Sequence, residues 1–141
     1  MSGGRIIFDE KKYLFENFNF NSPIQKKGIE EVEKELKIKF PPDYIDFMLK
    51  TNGGEGNIGE ESYLRLWKIE VLIESNEDYL VNEFAPGLLI IGSDGGGTAY
   101  GYDFREEFPK LIEVDFIGMD IDNPNYNTYD FFKFIEYLYN Y

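Results

Sequence analysis

The segment with the clearest capacity for chemistry is the glycine-rich stretch at residues 92–97 (GSDGGG). A loop of this kind binds phosphate through its backbone N–H groups when a lysine completes the motif and a helix follows directly. Here Thr98 follows without a lysine, the next residues alternate as in a strand, and the carboxylate of Asp94 would repel an anion. The sequence therefore predicts a hairpin corner at these glycines and no phosphate site.

A second segment, residues 120–125 (DIDNPN), places Asp120 and Asp122 at the first and third positions of a possible calcium loop. Such a loop needs glycine at its sixth position and a bidentate glutamate at its twelfth. This chain has Asn125 and Phe131 at those positions, and a turn containing Asn-Pro explains the segment better. We therefore predict no metal site and no cofactor.

Histidine and cysteine are both absent from the 141 residues. Their absence excludes disulfides, thiol nucleophiles, histidine or cysteine zinc sites and the Ser-His-Asp triad. Paired carboxylates can perform glycoside hydrolysis, but no spacing among the 27 acidic residues selects one pair. We therefore predict no catalytic residue. The alternative is a small-ligand-binding or carboxylate-based enzyme, which a pocket with converging carboxylates of perturbed pKa would favour.

The net charge of −13 is concentrated in one part of the sequence. Residues 1–50 carry equal numbers of basic and acidic side chains, so the whole negative excess lies in residues 51–141. Nucleic-acid binding requires patches of Lys and Arg, so we expect no direct nucleic-acid ligand. An acidic surface attracts a basic partner and accelerates its association. We therefore expect a protein partner with a basic surface.

The length of the chain predicts one domain, and no stretch is long and apolar enough to cross a membrane. The first residues lack the apolar region of a signal peptide, so we expect a cytoplasmic protein without a membrane partner. Residues 1–22 are predicted as an N-terminal extension that packs on the core, and residues 5–8 (RIIF) could form a strand in it. Residues 23–141 are predicted as the domain itself.

Hydrophobic spacing and turn residues predict an N-terminal helix pair, a strand, a third helix, a short antiparallel meander and a closing helix. This order of elements predicts an α+β fold. Residues 55–62 and 117–127 are predicted as a polar loop and a turn-rich connection. The predicted helices span residues 24–37, 43–51, 67–82 and 128–139, and the predicted strands span residues 63–66, 88–91, 99–104 and 111–116.

Four residues are predicted to define the ends of these helices. Asn52, followed by two glycines, is typical of the left-handed stop after a helix. Trp67 is predicted as a core anchor at the start of the third helix. Thr128 or Asn127 is predicted to cap the closing helix.

A series of short motifs runs through residues 23–139 in a fixed order. They are FPPDY at residues 40–44, FM at 47–48, NGG at 52–54, LWKIE at 66–70, APG at 85–87, IGSDGGG at 91–97, VDFIG at 114–118 and the closing helix at 128–138. Together they resemble the SUKH superfamily, which contains the fungal glucan-synthesis regulator and many small bacterial proteins. Phe40 stands where the family commonly has Leu, which is a conservative change, and residues 1–22 have no counterpart.

The resemblance implies a single domain with a mainly antiparallel sheet flanked by helices, and no enzymatic activity. Bacterial members are widely interpreted as immunity proteins that bind and neutralise a toxin, often a nuclease, delivered by neighbouring cells. Fungal members act in cell-wall synthesis signalling. We therefore expect an immunity protein, with an interaction module in cell-wall or glucan-synthesis regulation as the alternative.

The residues that bind the partner are expected near the turns of the acidic part of the chain. A nuclease toxin has a basic active-site groove, and an acidic inhibitor can occlude that groove by mimicking phosphate. The predicted partner-binding residues are Asp94, Glu106, Glu107, Asp120 and Asp122.

Overall fold

The computed structural model describes residues 8–141, which fold into a seven-stranded antiparallel sheet with helices packed against it. The strands follow one another across the sheet in chain order, and each neighbouring pair is antiparallel. This arrangement confirms the predicted α+β fold. The strands are β1 Phe18–Phe20, β2 Gly54–Ile58, β3 Ser62–Leu66, β4 Leu88–Ser93, β5 Thr98–Asp103, β6 Lys110–Asp115 and β7 Tyr126–Thr128.

The main helices confirm the predicted N-terminal pair and the predicted closing helix. Among residues 8–141, no helix has the length and apolar character needed to cross a bilayer. The α-helices are α1 Lys26–Leu36, α2 Pro42–Thr51, α3 Leu72–Asp78, α4 Val81–Phe84 and α5 Phe131–Tyr139, with short 3-10 turns at Lys12–Phe15 and Ile69–Val71.

The sheet buries apolar side chains on both faces, because successive residues of a strand point to opposite sides. On β5, Tyr102 points into the larger core, which it shares with Phe47 of α2 and Phe134 of α5. Ala99 of the same strand points into a smaller cluster that includes Val81 of α4. The helix pair and α5 therefore cover one face, while α4 and the connection after β6 cover part of the other.

Residues 8–20 contribute to the larger core. Phe8, Leu14 and Phe15 are buried in it, and strand β1 pairs with β2 so that Phe18 lies opposite Gly56. A strand was considered for residues 5–8, of which residues 5–7 lie outside the described residues. The sheet thus has an edge strand that comes from the predicted N-terminal extension.

The predicted polar loop at residues 55–62 is wrong, because residues 55–58 belong to strand β2 and Ser62 begins strand β3. Glu55 and Asn57 are exposed, whereas Gly54, Gly56 and Ile58 between and beside them are buried. Polar residues alternate here with glycines, which gives little hydrophobic signal. The hydrogen bonds to β1 and β3 on either side hold the strand in place.

The predicted helix at residues 67–82 is broken into a 3-10 turn, α3 and α4. Leu80 lies between α3 and α4 in the left-handed conformation, with φ of 57°. Trp67 lies before the 3-10 turn, where it is half-buried and packs against both apolar clusters. Its ring also stacks on Tyr79, with 6.0 Å between the ring centroids.

The closing helix begins later than predicted, because Thr128 is part of strand β7 and pairs with Leu111 of β6. The helix starts at Phe131, and its cap is Asp130, whose carboxylate accepts a hydrogen bond from the Lys133 N–H at 3.0 Å. The predicted cap at Thr128 or Asn127 is therefore wrong. The predicted connection at residues 117–127 also ends in this seventh strand.

The glycine-rich stretch forms the corner of the β4–β5 hairpin, as predicted. Gly95 is left-handed there, with φ of 84°. Close approach of the backbone is required before the corner, since a side chain at Gly92 would collide with the carbonyl oxygen of Arg65. A side chain at Gly97 would meet no atom within 4 Å. Gly92 is therefore needed for the pairing of β3 with β4.

Candidate functional site

Four of the five predicted partner-binding residues lie in two loops that contact each other. Glu106 and Glu107 follow Arg105 in the loop between β5 and β6, whereas Asp120 and Asp122 lie in the connection between β6 and β7. An ion pair joins the two segments, because the Arg105 guanidinium donates to the Asp122 carboxylate at 2.7 Å. We refer to Glu106, Glu107, Asp120 and Asp122 as the acidic loop surface.

The carboxylates of the acidic loop surface differ in how they are engaged. Asp120 accepts hydrogen bonds from the backbone N–H of Asp122 at 3.2 Å and from the Asn123 side chain at 3.1 Å. Asp122 is held by the ion pair described above. Glu106 and Glu107 are exposed, and neither side chain has a hydrogen bond or ion pair within residues 8–141. Within that range, the carboxylates of Glu106 and Glu107 are therefore accessible and unpaired.

Asp94 lies away from the acidic loop surface. It is in the corner before β5, whereas the loop that carries Glu106 follows the other end of the same strand. The Asp94 carboxylate accepts hydrogen bonds from the backbone N–H groups of Gly96 at 2.8 Å and Thr98 at 3.1 Å. Its main contact in the structure is therefore with its own turn.

Asp103, at the end of β5, anchors the Arg105 side chain that holds the acidic loop surface together. The Asp103 carboxylate is nearly buried and accepts hydrogen bonds from the Arg105 backbone N–H at 3.0 Å and from its guanidinium at 2.9 Å. Burial opposes ionisation, but the hydrogen bonds from Arg105 prevail and hold the pKa of Asp103 below its ordinary value.

We expect Asp103→Asn to lower the free energy of unfolding at pH 7 by about 1 kcal/mol, because charge-assisted hydrogen bonds are lost. A carboxylate whose pKa is lowered on folding stabilises the fold above its unfolded pKa, and this stabilisation disappears as the pH falls through its folded pKa. Urea unfolding of both proteins between pH 7 and pH 3 should therefore give a difference that shrinks toward acid. A constant difference would contradict this role for the charge.

A small polar cleft of about 240 Å³ lies between Asp94, Glu113 and Ser62. Burial raises the pKa of Glu113, against a hydrogen bond that its carboxylate accepts from the Tyr137 hydroxyl at 3.2 Å. The Ser62 hydroxyl donates to the Leu138 carbonyl at 2.6 Å, and Asp94 is held by its turn. The hydroxyl is therefore not directed at a base, and the cleft shows no nucleophile–base pair.

A groove of about 690 Å³ lies between α1, α3, α4 and the start of β4. We refer to it as the apolar groove. Its charged lining residues are Glu77 and Glu83. Its apolar lining residues are Leu36, Ile38, Ile73, Leu80, Val81, Leu88, Leu89 and Phe104.

The side chain of Asn76 fixes α3 on the sheet and so shapes the floor of the apolar groove. Its amide donates to the Ile90 carbonyl at 2.9 Å, and its oxygen accepts from the Ile90 N–H at 2.8 Å. Ile90 pairs with Gly101 of β5 beside a one-residue register shift, whereas β3 pairs with β4 at Gly92 and Ser93 and does not reach Ile90. Asn76 also donates to the Leu72 carbonyl at 2.8 Å.

The apolar groove and the acidic loop surface are adjacent. Phe104, which lines the groove, donates a backbone hydrogen bond to Gly87 of the groove at 2.8 Å. Arg105 follows at once and also packs against Gly87, and Glu106 and Glu107 come next in the chain. Apolar surface therefore passes into acidic surface within three residues.

A family model for SMI1/KNR4 proteins, also described as SUKH-1, matches residues 23–139, which is most of the chain. The chain belongs to this family. The resemblance predicted from the motifs is therefore confirmed. SUKH-1 domains are generally non-enzymatic.

This SUKH-1 chain is also similar to the uncharacterized protein YnaB of Bacillus subtilis (strain 168), with 36% identity over 75 residues. The aligned region covers 53% of this chain and 47% of YnaB. The similarity thus extends over about half the length of that relative.

The apolar groove of this SUKH-1 domain was not predicted from the sequence. The exposure of Phe108, which follows Glu107 and is 69% exposed, was not predicted either. One signal was present, because no Lys or Arg occurs between Lys68 and Arg105. That segment supplies most of the groove lining. The left-handed Leu80 had no sequence signal, since glycine or asparagine is the usual residue in that conformation.

Proposed function

We propose that this SUKH-1 domain is a non-enzymatic immunity protein that acts in the cytoplasm by binding a toxin with a basic surface. The observation that carries the proposal is the pair of exposed carboxylates, Glu106 and Glu107, which have no hydrogen bond or ion pair within residues 8–141 and lie beside exposed Phe108 and the apolar groove. Protein interfaces combine an apolar centre with a polar rim. An exposed surface that offers both is suited to a protein partner.

The charge of the chain supports a basic partner over an acidic or neutral one. With a net charge of −13, the domain would attract a cationic protein at long range and raise its rate of association. A nuclease toxin has a cationic active site because it must bind phosphates. Carboxylates such as Glu106 and Glu107 can occupy that site in place of phosphate.

A binding role also agrees with the way the carboxylates are used. Asp94, Asp103, Asp120 and Asp122 are all engaged in hydrogen bonds within the chain. Glu113, whose pKa is raised, is bonded to the Tyr137 hydroxyl. A catalytic pair would instead need two carboxylates that converge on open space.

The proposal predicts that a toxin domain is encoded beside the gene for this chain, and that domain is the probe for the test. We expect the purified chain to bind that domain and to restore growth of cells that express it. The double variant Glu106→Lys/Glu107→Lys should raise the Kd at least tenfold, equal to about 1.4 kcal/mol, because two attractive charges become repulsive.

The matched control is Glu31→Lys/Glu35→Lys, which makes the same change of charge at two exposed positions of α1. It should weaken binding much less, because these residues lie outside the acidic loop surface. Equal loss in both variants would show that only net charge matters. The absence of a neighbouring toxin domain, or of any binding to it, would contradict an immunity function and favour an interaction module in cell-wall regulation.

A further inference from the structure

We propose that the apolar groove binds an amphipathic segment of the partner protein, with apolar side chains in the groove and Lys or Arg beside Glu77 and Glu83. The inference rests on the proposed function in taking a basic protein as partner, and it adds a second contact surface to the acidic loops. It also specifies the chemistry of the segment that binds there. Three features of the groove support it.

The first feature is the size and lining of the groove. Its volume of about 690 Å³ lies within the range of about 300–1,000 Å³ that is usual for ligand sites. The lining is mostly aliphatic, with Ile73 of α3, Leu80 of the turn between α3 and α4, and Leu88 of β4. Helical segments of partner proteins commonly place apolar side chains in grooves of this kind.

The second feature is the conformation of Leu80. Its φ of 57° is left-handed, which is unfavourable for a residue with a branched side chain. The turn itself needs only the backbone, since the Leu80 carbonyl accepts from the N–H groups of Glu83 and Phe84, each at 3.1 Å. Leu80 is 52% exposed and lines the groove. Strain of this kind is typical of functional positions, and here it presents an apolar side chain to the groove.

The third feature is the distribution of charge around the groove. Among the described lining residues the charged ones are both acidic, Glu77 and Glu83. On the opposite wall, Ile38 also lines a second depression, which carries Lys34, Lys37 and Lys39 together with Glu30 and Glu33. Cations of the bound segment are therefore attracted to the wall formed by α3 and α4, whereas the α1 side carries charges of both signs. This asymmetry favours a segment with one cationic side.

The test uses a phage-displayed library of random 16-residue peptides selected on the full chain. We expect enriched peptides that combine apolar residues with Lys or Arg. Synthetic copies of them should bind Leu80→Gly at least tenfold more weakly. The thermal unfolding midpoint of Leu80→Gly should be unchanged or raised, because glycine adopts the left-handed conformation without strain. A lowered midpoint would identify Leu80 as a structural residue and overturn its assignment to the partner.

A matched control for shape is Phe84→Ala, which removes a more exposed apolar side chain that does not line the groove. Phe84→Ala should leave peptide binding unchanged.

For charge, Glu77→Gln/Glu83→Gln should weaken peptide binding severalfold at low salt. Glu74→Gln changes an exposed glutamate of α3 outside the groove and should have little effect. Enriched peptides that are acidic, or that bind Leu80→Gly as well as the original chain, would overturn the inference.

The toxin domain separates this inference from the proposed function. Selected peptides should compete with the toxin domain if both proposals hold. Peptide binding that depends on Leu80, without any toxin binding, would support the groove and contradict the immunity function. Toxin binding that is unaffected by Leu80→Gly and by the peptides would overturn the groove as a docking site and leave the immunity function standing.

Discussion

Phe15→Ala is expected to lower the free energy of unfolding by about 3–5 kcal/mol, the usual cost of removing a buried phenylalanine. Phe15 is 4% exposed. Its ring lies 5.2 Å from that of Phe47 in α2, between centroids, and 5.6 Å from those of Phe18 and Phe20 in β1. Truncation would leave a cavity between the N-terminal segment and α2. Urea unfolding monitored by circular dichroism measures the effect.

The matched control is Tyr13→Ala in the same 3-10 turn. Tyr13 is 53% exposed and has an edge-to-face contact with Tyr139 at 5.7 Å, so its loss should cost about 1 kcal/mol or less. The comparison tests whether residues 8–20, all of which precede the matched family region, belong to the folding unit. If both substitutions lowered the free energy of unfolding by a similarly small amount, this segment would not be part of the folding unit.

Asn52→Ala is expected to lower the free energy of unfolding by about 2–4 kcal/mol, because Asn52 both adopts a left-handed backbone conformation and makes two side-chain hydrogen bonds. Asn52 is left-handed, with φ of 52°, and is almost fully buried. Its side-chain oxygen accepts from the Ile69 N–H at 2.9 Å, and its amide donates to the Glu70 carboxylate at 2.7 Å. Alanine removes both bonds, leaves a buried N–H of Ile69 without this partner, and strains the backbone.

Asn52→Gly separates these contributions. Glycine adopts the left-handed conformation readily but makes no side-chain hydrogen bond. The free energy of unfolding of Asn52→Gly should therefore be about 1 kcal/mol higher than that of Asn52→Ala. Chemical denaturation of the three proteins at pH 7 gives the comparison. If glycine restored the original stability completely, the contacts with Ile69 and Glu70 would have no energetic role.

The motif at residues 52–54 combines a local helix stop with contacts to distant parts of the chain. The motif predicted the end of α2 correctly, because a left-handed asparagine followed by glycine is a local signal. The hydrogen bonds from Asn52 to Ile69 and Glu70 could not be predicted, since they join segments that are distant in the chain. The same limit applied at Asp122, whose ion pair with Arg105 forms only when two loops meet.

Strands β1, β2 and β7 were missed for a related reason. β1 and β7 have only three residues each, and β2 is rich in glycine and polar residues, so all three carry little periodic hydrophobic signal. Their hydrogen bonds come from neighbouring strands, and the register of β2 against β3 places Gly56 opposite Leu64. Pairing with a neighbour, rather than intrinsic propensity, makes these segments strands.

The sequence by itself determined the α+β class, the helices α1 and α2, the β4–β5 hairpin, the family and the acidic character of the surface. These features depend on local periodicity, on turn residues and on composition, all of which can be read along the chain. Only the tertiary structure decided which carboxylates are bonded within residues 8–141 and where the apolar groove lies. Leu36, Leu80 and Phe104 are far apart in sequence, and packing against one sheet brings them to one groove.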